Sequence, residues 1–293
     1  MKSFSIQRFA RIVRRDILGN YRQNLRLLAG FYLCNLILEV VVYLKPSRTG
    51  LQGLYDTPDA LRWAIAALAP QLISLVTGVM FLLFLFSAAS AFSNLSTKQK
   101  RIAELTLPAT NAERYFSRLL QAIVLWPLGF ILAFVLADLT RMLVFPAFGY
   151  GFPSAVPVFF DKLGSFFSGS WEMLSGNTRE ALLNLDGGPA PRWTFFMLWG
   201  FIVGLHSFYL LGGAVFRRRP VIYTSLVFVA VCVLLGVSVT RENLDTLRVS
   251  ADMEELSAKV FIVLQWAFAI ACYALSYYIY KRITVIPRKL LRK

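Results

Sequence analysis

Residues 94–120, NLSTKQKRIAELTLPATNAERYFSRLL, form a charged segment between two apolar runs that are each long enough to cross a membrane. Its first half contains good helix formers, places Lys100 and Glu104 one helical turn apart, and ends at Pro108. Thr110 and Glu113 have the spacing of a capping box, which predicts that a second helix begins there. We therefore predict two short helices joined by a turn, the second continuing into the membrane.

The composition around this segment is that of an integral membrane protein. Hydrophobic residues make up 57% of the chain and charged residues 16%, which is too apolar for a soluble domain of this length. We predict an all-α polytopic membrane helix bundle, with a six-span transmembrane domain over 27–293. The predicted spans are about residues 27–44, 68–92, 117–138, 193–216, 220–240 and 260–280.

The orientation follows from the basic residues. Of the 31 Lys and Arg residues, 21 lie before the first span, in the loop at 94–118, in the Arg217–Arg219 turn and after the last span. The positive-inside rule makes that side cytoplasmic, with both termini on it. The formal net charge of +15 then serves topology and contact with anionic lipid, so we expect no nucleic-acid partner.

Residues 1–26 are predicted to form an amphipathic helix in the plane of the membrane. Ile6, Phe9, Val13 and Ile17 recur at helical spacing, and the arginines lie largely off that stripe. A cleaved signal peptide is the competing interpretation, but no small-residue cleavage site follows the first apolar run before Lys45, which favours retention.

The long external loop at 139–192 begins with an aromatic stretch rich in Pro and Gly, which could lie along the interface or dip into it.

Few polar side chains lie within the spans. His206 is the chain's one histidine and is read as a packing group in preference to a proton relay. We interpret the three cysteines as small, buried hydrophobic side chains; they are Cys34, Cys232 and Cys272. We predict that the Glu39 side chain reaches headgroups or water, and the alternative is that it binds a cationic group. No catalytic, metal or cofactor site is predicted.

Small residues and one proline predict how the spans pack. Gly200 and Gly204 form a GxxxG motif that favours a close helix contact, within the chain or at a dimer seam. The small residues at 87–91 suit tight packing as well, Pro127 predicts a kink, and Asp138 could pair with Arg141 across one turn.

The segment at 94–118 resembles the loop after the second span of ABC-2-type transporter permeases. In that family a charged helix ends in a Leu-x-Pro-Ala/Val-Ser/Thr turn followed by an acidic and a basic residue, and ATNAERYFSR at 109–118 is similar to the "LPAS…EKFLSR" of a compact group. The residues that carry the resemblance are Arg101, Glu104, Leu105, Leu107, Pro108, Ala109, Thr110, Glu113 and Arg114.

The resemblance implies a permease subunit of an ATP-driven exporter in the bacterial inner membrane. A separate P-loop ATPase subunit would bind ATP, because this chain contains no GxxxxGK[ST] motif. A second permease subunit would complete a homo- or heterodimer. The contact to the ATPase would be a coupling helix, and the residues implied for it are Lys98, Lys100, Arg101, Glu104, Leu107, Pro108, Thr110, Glu113 and Arg114.

One feature departs from the family pattern. The better-known exporters have short outer helices between spans 5 and 6, whereas the longest predicted outer loop here joins spans 3 and 4. The alternative function is therefore a non-transporting membrane scaffold or assembly factor that uses the same loop to bind a soluble partner. A partner's ATP turnover separates the two, because a scaffold would leave it unchanged.

Overall fold

The computed structural model describes residues 4–19, 21–48, 58–93, 99, 102, 104, 106, 108–148, 154–175, 193–216, 218–241 and 251–284. These residues form helices and no strand, which confirms the all-α class for the described part of the chain. The α-helices are α1 Ile6–Gly19, α2 Tyr21–Arg48, α3 Pro58–Ser90, α4 Asn111–Leu120, α5 Trp126–Val144, α6 Val156–Ser175, α7 Trp193–Val215, α8 Pro220–Arg241 and α9 Ala251–Thr284.

The helices define a multi-pass membrane protein. Five helical stretches among the described residues are long and apolar enough to cross a membrane: Asn24–Tyr43, Leu68–Ser90, Asn111–Ala147, Trp193–Val215 and Leu256–Arg282. The predicted span at 220–240 falls on α8, whose described apolar part, Pro220–Leu234, is shorter. The six-span arrangement therefore stays a prediction, as does a position of α1 in the membrane plane.

The third span is longer than the predicted 117–138. A π-helical turn at Gln121–Leu125 links α4 to α5, and Pro127 is the second residue of α5. Proline has no N–H to donate to the carbonyl four residues earlier, and a wider turn accommodates that loss. The predicted kink at Pro127 stays a prediction, and the structure places a change of helix type just before this residue.

The region predicted as one external loop at 139–192 contains regular structure. Helix α5 continues to Val144, a 3₁₀ turn follows at Phe145–Phe148, and α6 adds a further helix. The aromatic and apolar residues that suggested an interfacial loop, such as Phe159, instead supply a helix with a buried face. Residues 149–153 and 176–192 lie outside the described part.

The chain divides into two compact units, of which the first contains Met1–Ile12, Leu85–Ala122 and Gly169–Lys293. Close backbone packing in this unit depends on small residues. A Cβ added at Gly213 would lie 2.3 Å from the carbonyl oxygen of Ala89, which is fully buried, and one at Gly200 would lie 2.9 Å from Trp266 Nε1 on α9. Gly204 has open space at its Cβ position. The small residues at 87–91 and Gly200 therefore serve contacts within the chain.

The second unit contains Val13–Phe84 and Ile123–Ser168. Its core is aromatic and aliphatic, with side chains from α2, α3, α5 and α6. The buried members are Tyr43, Leu72, Ile73, Val76, Phe134, Phe145, Ala155 and Phe159. Burial of this apolar surface does not explain why the helices associate within a lipid environment, where close packing and polar contacts matter more.

Candidate functional site

The structure describes part of the predicted contact segment. Gln99, Ile102 and Glu104 are helical, in agreement with the short helix predicted there, and Pro108 lies in the turn that follows. Among the residues implied as contacts to an ATPase, Glu104, Pro108, Thr110, Glu113 and Arg114 are described. Lys98, Lys100, Arg101 and Leu107 lie outside the described residues.

The predicted capping box at the start of α4 is confirmed. The Glu113 backbone N–H donates to Thr110 Oγ1 at 3.2 Å, and Glu113 Oε2 accepts from the Thr110 backbone N–H at 2.8 Å. Each side chain thus satisfies a backbone donor that the helix itself leaves free. This arrangement fixes the direction in which the chain turns from the interspan segment into the third span.

Glu113 also binds the N-terminal region of the chain. Its Oε1 atom accepts from the Ser5 backbone N–H at 2.7 Å and from Arg8 Nη2 at 3.0 Å and Nε at 3.2 Å. The Glu113 side chain is fully buried, whereas that of Arg8 is 32% exposed. We call the contacts among Ser5, Arg8, Thr110 and Glu113 the loop junction. It joins α1 to the first turn of α4.

A second ion pair ties the interspan helix to α4. Arg118 Nη2 lies 3.1 Å from Glu104 Oε2, and both side chains are almost completely buried. Arg114 is also buried and donates from Nη2 to the Ala109 carbonyl at 2.8 Å. Glu104, Glu113 and Arg114 therefore have partners inside the chain. Their proposed contact with an ATPase stays a prediction.

The exposed side of the same segment is different in character. Ile102 is 51% exposed, and Thr106 and Pro108 are exposed as well, whereas Thr110 is half-buried. An apolar side chain on a loop between two spans has no lipid to cover it if the loop lies in water. Among the described residues of the segment, these are ones that a partner could reach.

His206 lies in a polar contact between α7 and α9. Its Nδ1 atom is 2.8 Å from Tyr273 Oη, and the side chain is 1% exposed. Tyr115 on α4 reaches the same helix, with its hydroxyl 3.2 Å from the Tyr273 carbonyl and 2.8 Å from Ser276 Oγ. The predicted role of His206 in helix packing agrees with this environment.

A separate polar group lies inside the second unit. Arg141 Nε is 3.2 Å from Glu39 Oε2, and Arg141 Nη2 is 2.5 Å from Asp138 Oδ1. The guanidinium also stacks over the Tyr43 ring at 4.3 Å. We call Glu39, Asp138 and Arg141 the arginine cluster. The predicted pair of Asp138 and Arg141 is confirmed, but the interpretation of Glu39 as reaching headgroups or water is wrong, because its side chain is 0% exposed.

Asp138 has additional donors from the start of α6. Its Oδ2 atom accepts from Ser154 Oγ, and the Ala155 backbone N–H lies 3.2 Å from each of its oxygens. Asp138 thereby caps α6 from another helix. The sequence suggested no such role, because Ser154 and Asp138 are 16 residues apart and no motif links them.

The three cysteines are free thiols, and two of them are not buried as predicted. Cys272 is buried as predicted, but Cys34 and Cys232 are exposed on the surface of their helices. Exposure to lipid costs little for a small apolar side chain. Among the described residues, no group of His, Cys, Asp and Glu side chains is arranged to hold a metal ion.

Sequence reasoning missed the basic partners of the interspan segment, which are Arg8 and Arg118. Acidic residues are rare on the predicted cytoplasmic side, and the three found there, Asp16, Glu104 and Glu113, are all buried and paired with arginine. That scarcity was the available signal, because an acidic side chain among many basic ones is well placed to form internal ion pairs. Comparisons with protein-family models, with curated proteins and with solved structures found no match.

Proposed function

We propose that the protein is the permease subunit of an ATP-driven exporter of the ABC-2 type. In this proposal six spans place both termini in the cytoplasm of a bacterium, α1 lies along the inner face of the cytoplasmic membrane, and two permease subunits pair. A separate P-loop ATPase binds ATP and contacts the segment between the second and third spans. The proposal rests on the motif resemblance at 101–114 and on the ion pairs and hydrogen bonds that attach this segment to α1 and α4.

The observation that carries the proposal is the loop junction. A segment that transmits force from a partner must be attached firmly to the elements it moves. Here buried Glu113 fixes the first turn of the third span and binds α1 through Ser5 and Arg8, and the Glu104–Arg118 pair holds the preceding helix to α4. Such connections would transfer a displacement of the loop directly to α4.

The contacts assign different tasks to the predicted residues. Glu104, Glu113 and Arg114 would form the internal framework, because each is buried with a partner in the chain. Ile102 and Pro108 would form the surface that meets the ATPase, because both are exposed. An exposed apolar side chain such as Ile102 is removed from water when a partner covers it, which favours binding.

The experiment is recovery of the complex in mild detergent, followed by mass spectrometry and an ATPase assay. We compare the wild type with Ile102→Glu, which places a charge on the proposed contact, and with Ile102→Leu, which keeps an apolar side chain of the same size. We expect a P-loop ATPase to accompany the wild type and Ile102→Leu, and at least a tenfold loss with Ile102→Glu, equivalent to about 1.4 kcal/mol.

The remaining outcomes decide between the two functions considered for this loop. A stoichiometric ATPase whose turnover depends on the permease supports the exporter. A soluble partner that hydrolyses no ATP, or whose turnover is the same with and without this protein, contradicts the exporter and indicates a scaffold. Membrane insertion of Ile102→Glu is checked by fractionation, so that loss of binding is not confused with loss of the protein.

A further inference from the structure

The arginine cluster contains more buried acid than base. Glu39 and Arg141 have side chains that are 0% exposed, and that of Asp138 is 1% exposed. All three lie in stretches that are long and apolar enough to cross a membrane, Asn24–Tyr43 and Asn111–Ala147. With every group ionised, one guanidinium would face two carboxylates and the cluster would carry one net negative charge. An uncompensated charge in this environment is costly.

The hydrogen bonds distinguish the two carboxyl groups. Asp138 accepts from Arg141, from Ser154 Oγ and from the Ala155 backbone N–H, so both of its oxygens have donors. Glu39 accepts at Oε2 from Arg141 alone. Donors to a carboxylate favour its charged form. Asp138 therefore has donors to both of its oxygens, whereas a negative charge on Glu39 would have a donor at Oε2 only.

Two buried acceptor atoms on α2 have no donor among the described residues. They are Glu39 Oε1 and Asn35 Oδ1, and Asn35 is also fully buried. The amide group of Asn35 donates from Nδ2 to the Phe31 carbonyl at 3.1 Å, which leaves Oδ1 as an acceptor. Asn35 and Glu39 are four residues apart on α2 and so share one face of that helix.

Among the described residues, the titratable and charged groups around Glu39 come from α2 and α5. Helix α2 also contributes Tyr43, and α5 contributes Asp138 and Arg141. The described side chains of α3 and α6 in this core are apolar, including Leu72, Val76 and Phe159. The nearest cation, Arg141, is already shared with Asp138.

We infer that the arginine cluster is a proton-binding site, with one proton held on Glu39 Oε1 and shared with Asn35 Oδ1. One proton removes the net charge, converts Glu39 Oε1 into a hydroxyl and gives Asn35 Oδ1 a donor. Glu39 Oε2 continues to accept from Arg141. This inference does not depend on the proposed transport function, because it follows from charge and hydrogen bonding in the second unit alone.

Infrared spectroscopy of the protein in lipid nanodiscs tests the inference directly. A protonated carboxylic acid has a carbonyl stretch well separated from that of a carboxylate, and exposed carboxyl groups are ionised at neutral pH. We expect the wild type to show this band at neutral pH and Glu39→Gln to lack it. Absence of the band in the wild type would overturn the inference.

A second variant leaves Glu39 in place. In Asp138→Asn the guanidinium of Arg141 loses its other counter-ion, so Glu39 should ionise and the band should disappear. A band that persists in Asp138→Asn would contradict the charge argument. Asn35→Ala serves as the control for the shared proton: the band should remain but shift to higher frequency, because an acid without a hydrogen-bond acceptor has a stronger carbonyl bond.

A bound metal cation is the competing occupant of the two free acceptors. Thermal stability is therefore measured in sodium, potassium and choline buffers at several pH values. We expect no dependence on the cation, and a folded fraction of the wild type that falls as pH rises, by at most about tenfold in the equilibrium constant per pH unit, because the folded state retains a proton that the unfolded state releases. Glu39→Gln should show a weaker pH dependence. Stabilisation by sodium that Glu39→Gln abolishes would overturn the inference.

Discussion

The loop junction and the arginine cluster are both buried ion-pair groups, but their charges are arranged differently. In the loop junction Glu113 has Arg8 as its partner, the neighbouring Glu104 has Arg118, and Arg8 remains 32% exposed. In the arginine cluster two carboxyl groups share Arg141, and no member reaches the surface. The first is a balanced connection between segments, while the second has an excess of acid.

This difference in charge balance shows when a buried ion pair serves only to hold two segments together. A balanced pair with one partly exposed partner is neutral without a further ion, and its Coulomb attraction is partly screened by salt. A closed cluster with surplus charge has to bind something or change its protonation. The same residue types thus indicate attachment in one unit and, by our inference, proton binding in the other.

The largest expected effect comes from removing the guanidinium of the arginine cluster. Arg141→Leu leaves two buried acidic side chains without their shared partner, and we expect a loss of about 3–5 kcal/mol in stability. Thermal unfolding in detergent measures it, with Arg26→Leu as the control, because Arg26 is exposed on α2. A variant as stable as the control would show that the cluster contributes little to folding.

An intermediate effect is expected at the loop junction. Glu113→Gln retains an acceptor for one backbone N–H but removes the charge that Arg8 binds, so we expect a loss of about 2 kcal/mol. Hydrogen exchange should increase in the first two turns of α1, which identifies the lost attachment. Unchanged exchange in α1 would mean that Glu113 acts only as a helix cap.

The smallest effect concerns salt. Arg8→Ala should cost at most about 1 kcal/mol at low ionic strength, because the side chain is partly solvated. Raising the salt concentration to 1 M should reduce this cost but leave that of Arg141→Leu unchanged, since buried charges are screened much less. Equal salt dependence in both variants would remove the distinction between the two groups.

Local features of the sequence were sufficient to predict several parts of the structure. The capping box of Thr110 and Glu113 and the pair of Asp138 and Arg141 involve residues three positions apart, so spacing alone predicts them. The apolar runs predicted the five long helices because length and hydropathy determine whether a helix can span lipid.

Contacts between distant residues could not be predicted in the same way. Glu39 and Arg141 are 102 residues apart, and Arg8 and Glu113 are 105 apart. Finding such pairs requires knowing which helices are neighbours, and hydropathy does not contain that information. Helix α6 was missed for another reason: its glycines and aromatic residues resemble a loop, and its cap, Asp138, comes from a different element.

The loop junction has a consequence for the order in which the protein is made. Arg8 leaves the ribosome 105 residues before Glu113. At about 5–20 residues per second, α1 exists for roughly 5–20 s before its anchoring carboxylate has been synthesised. Two further helices, α2 and α3, are produced in that interval. Attachment of α1 to α4 therefore cannot form until α2 and α3 have been made.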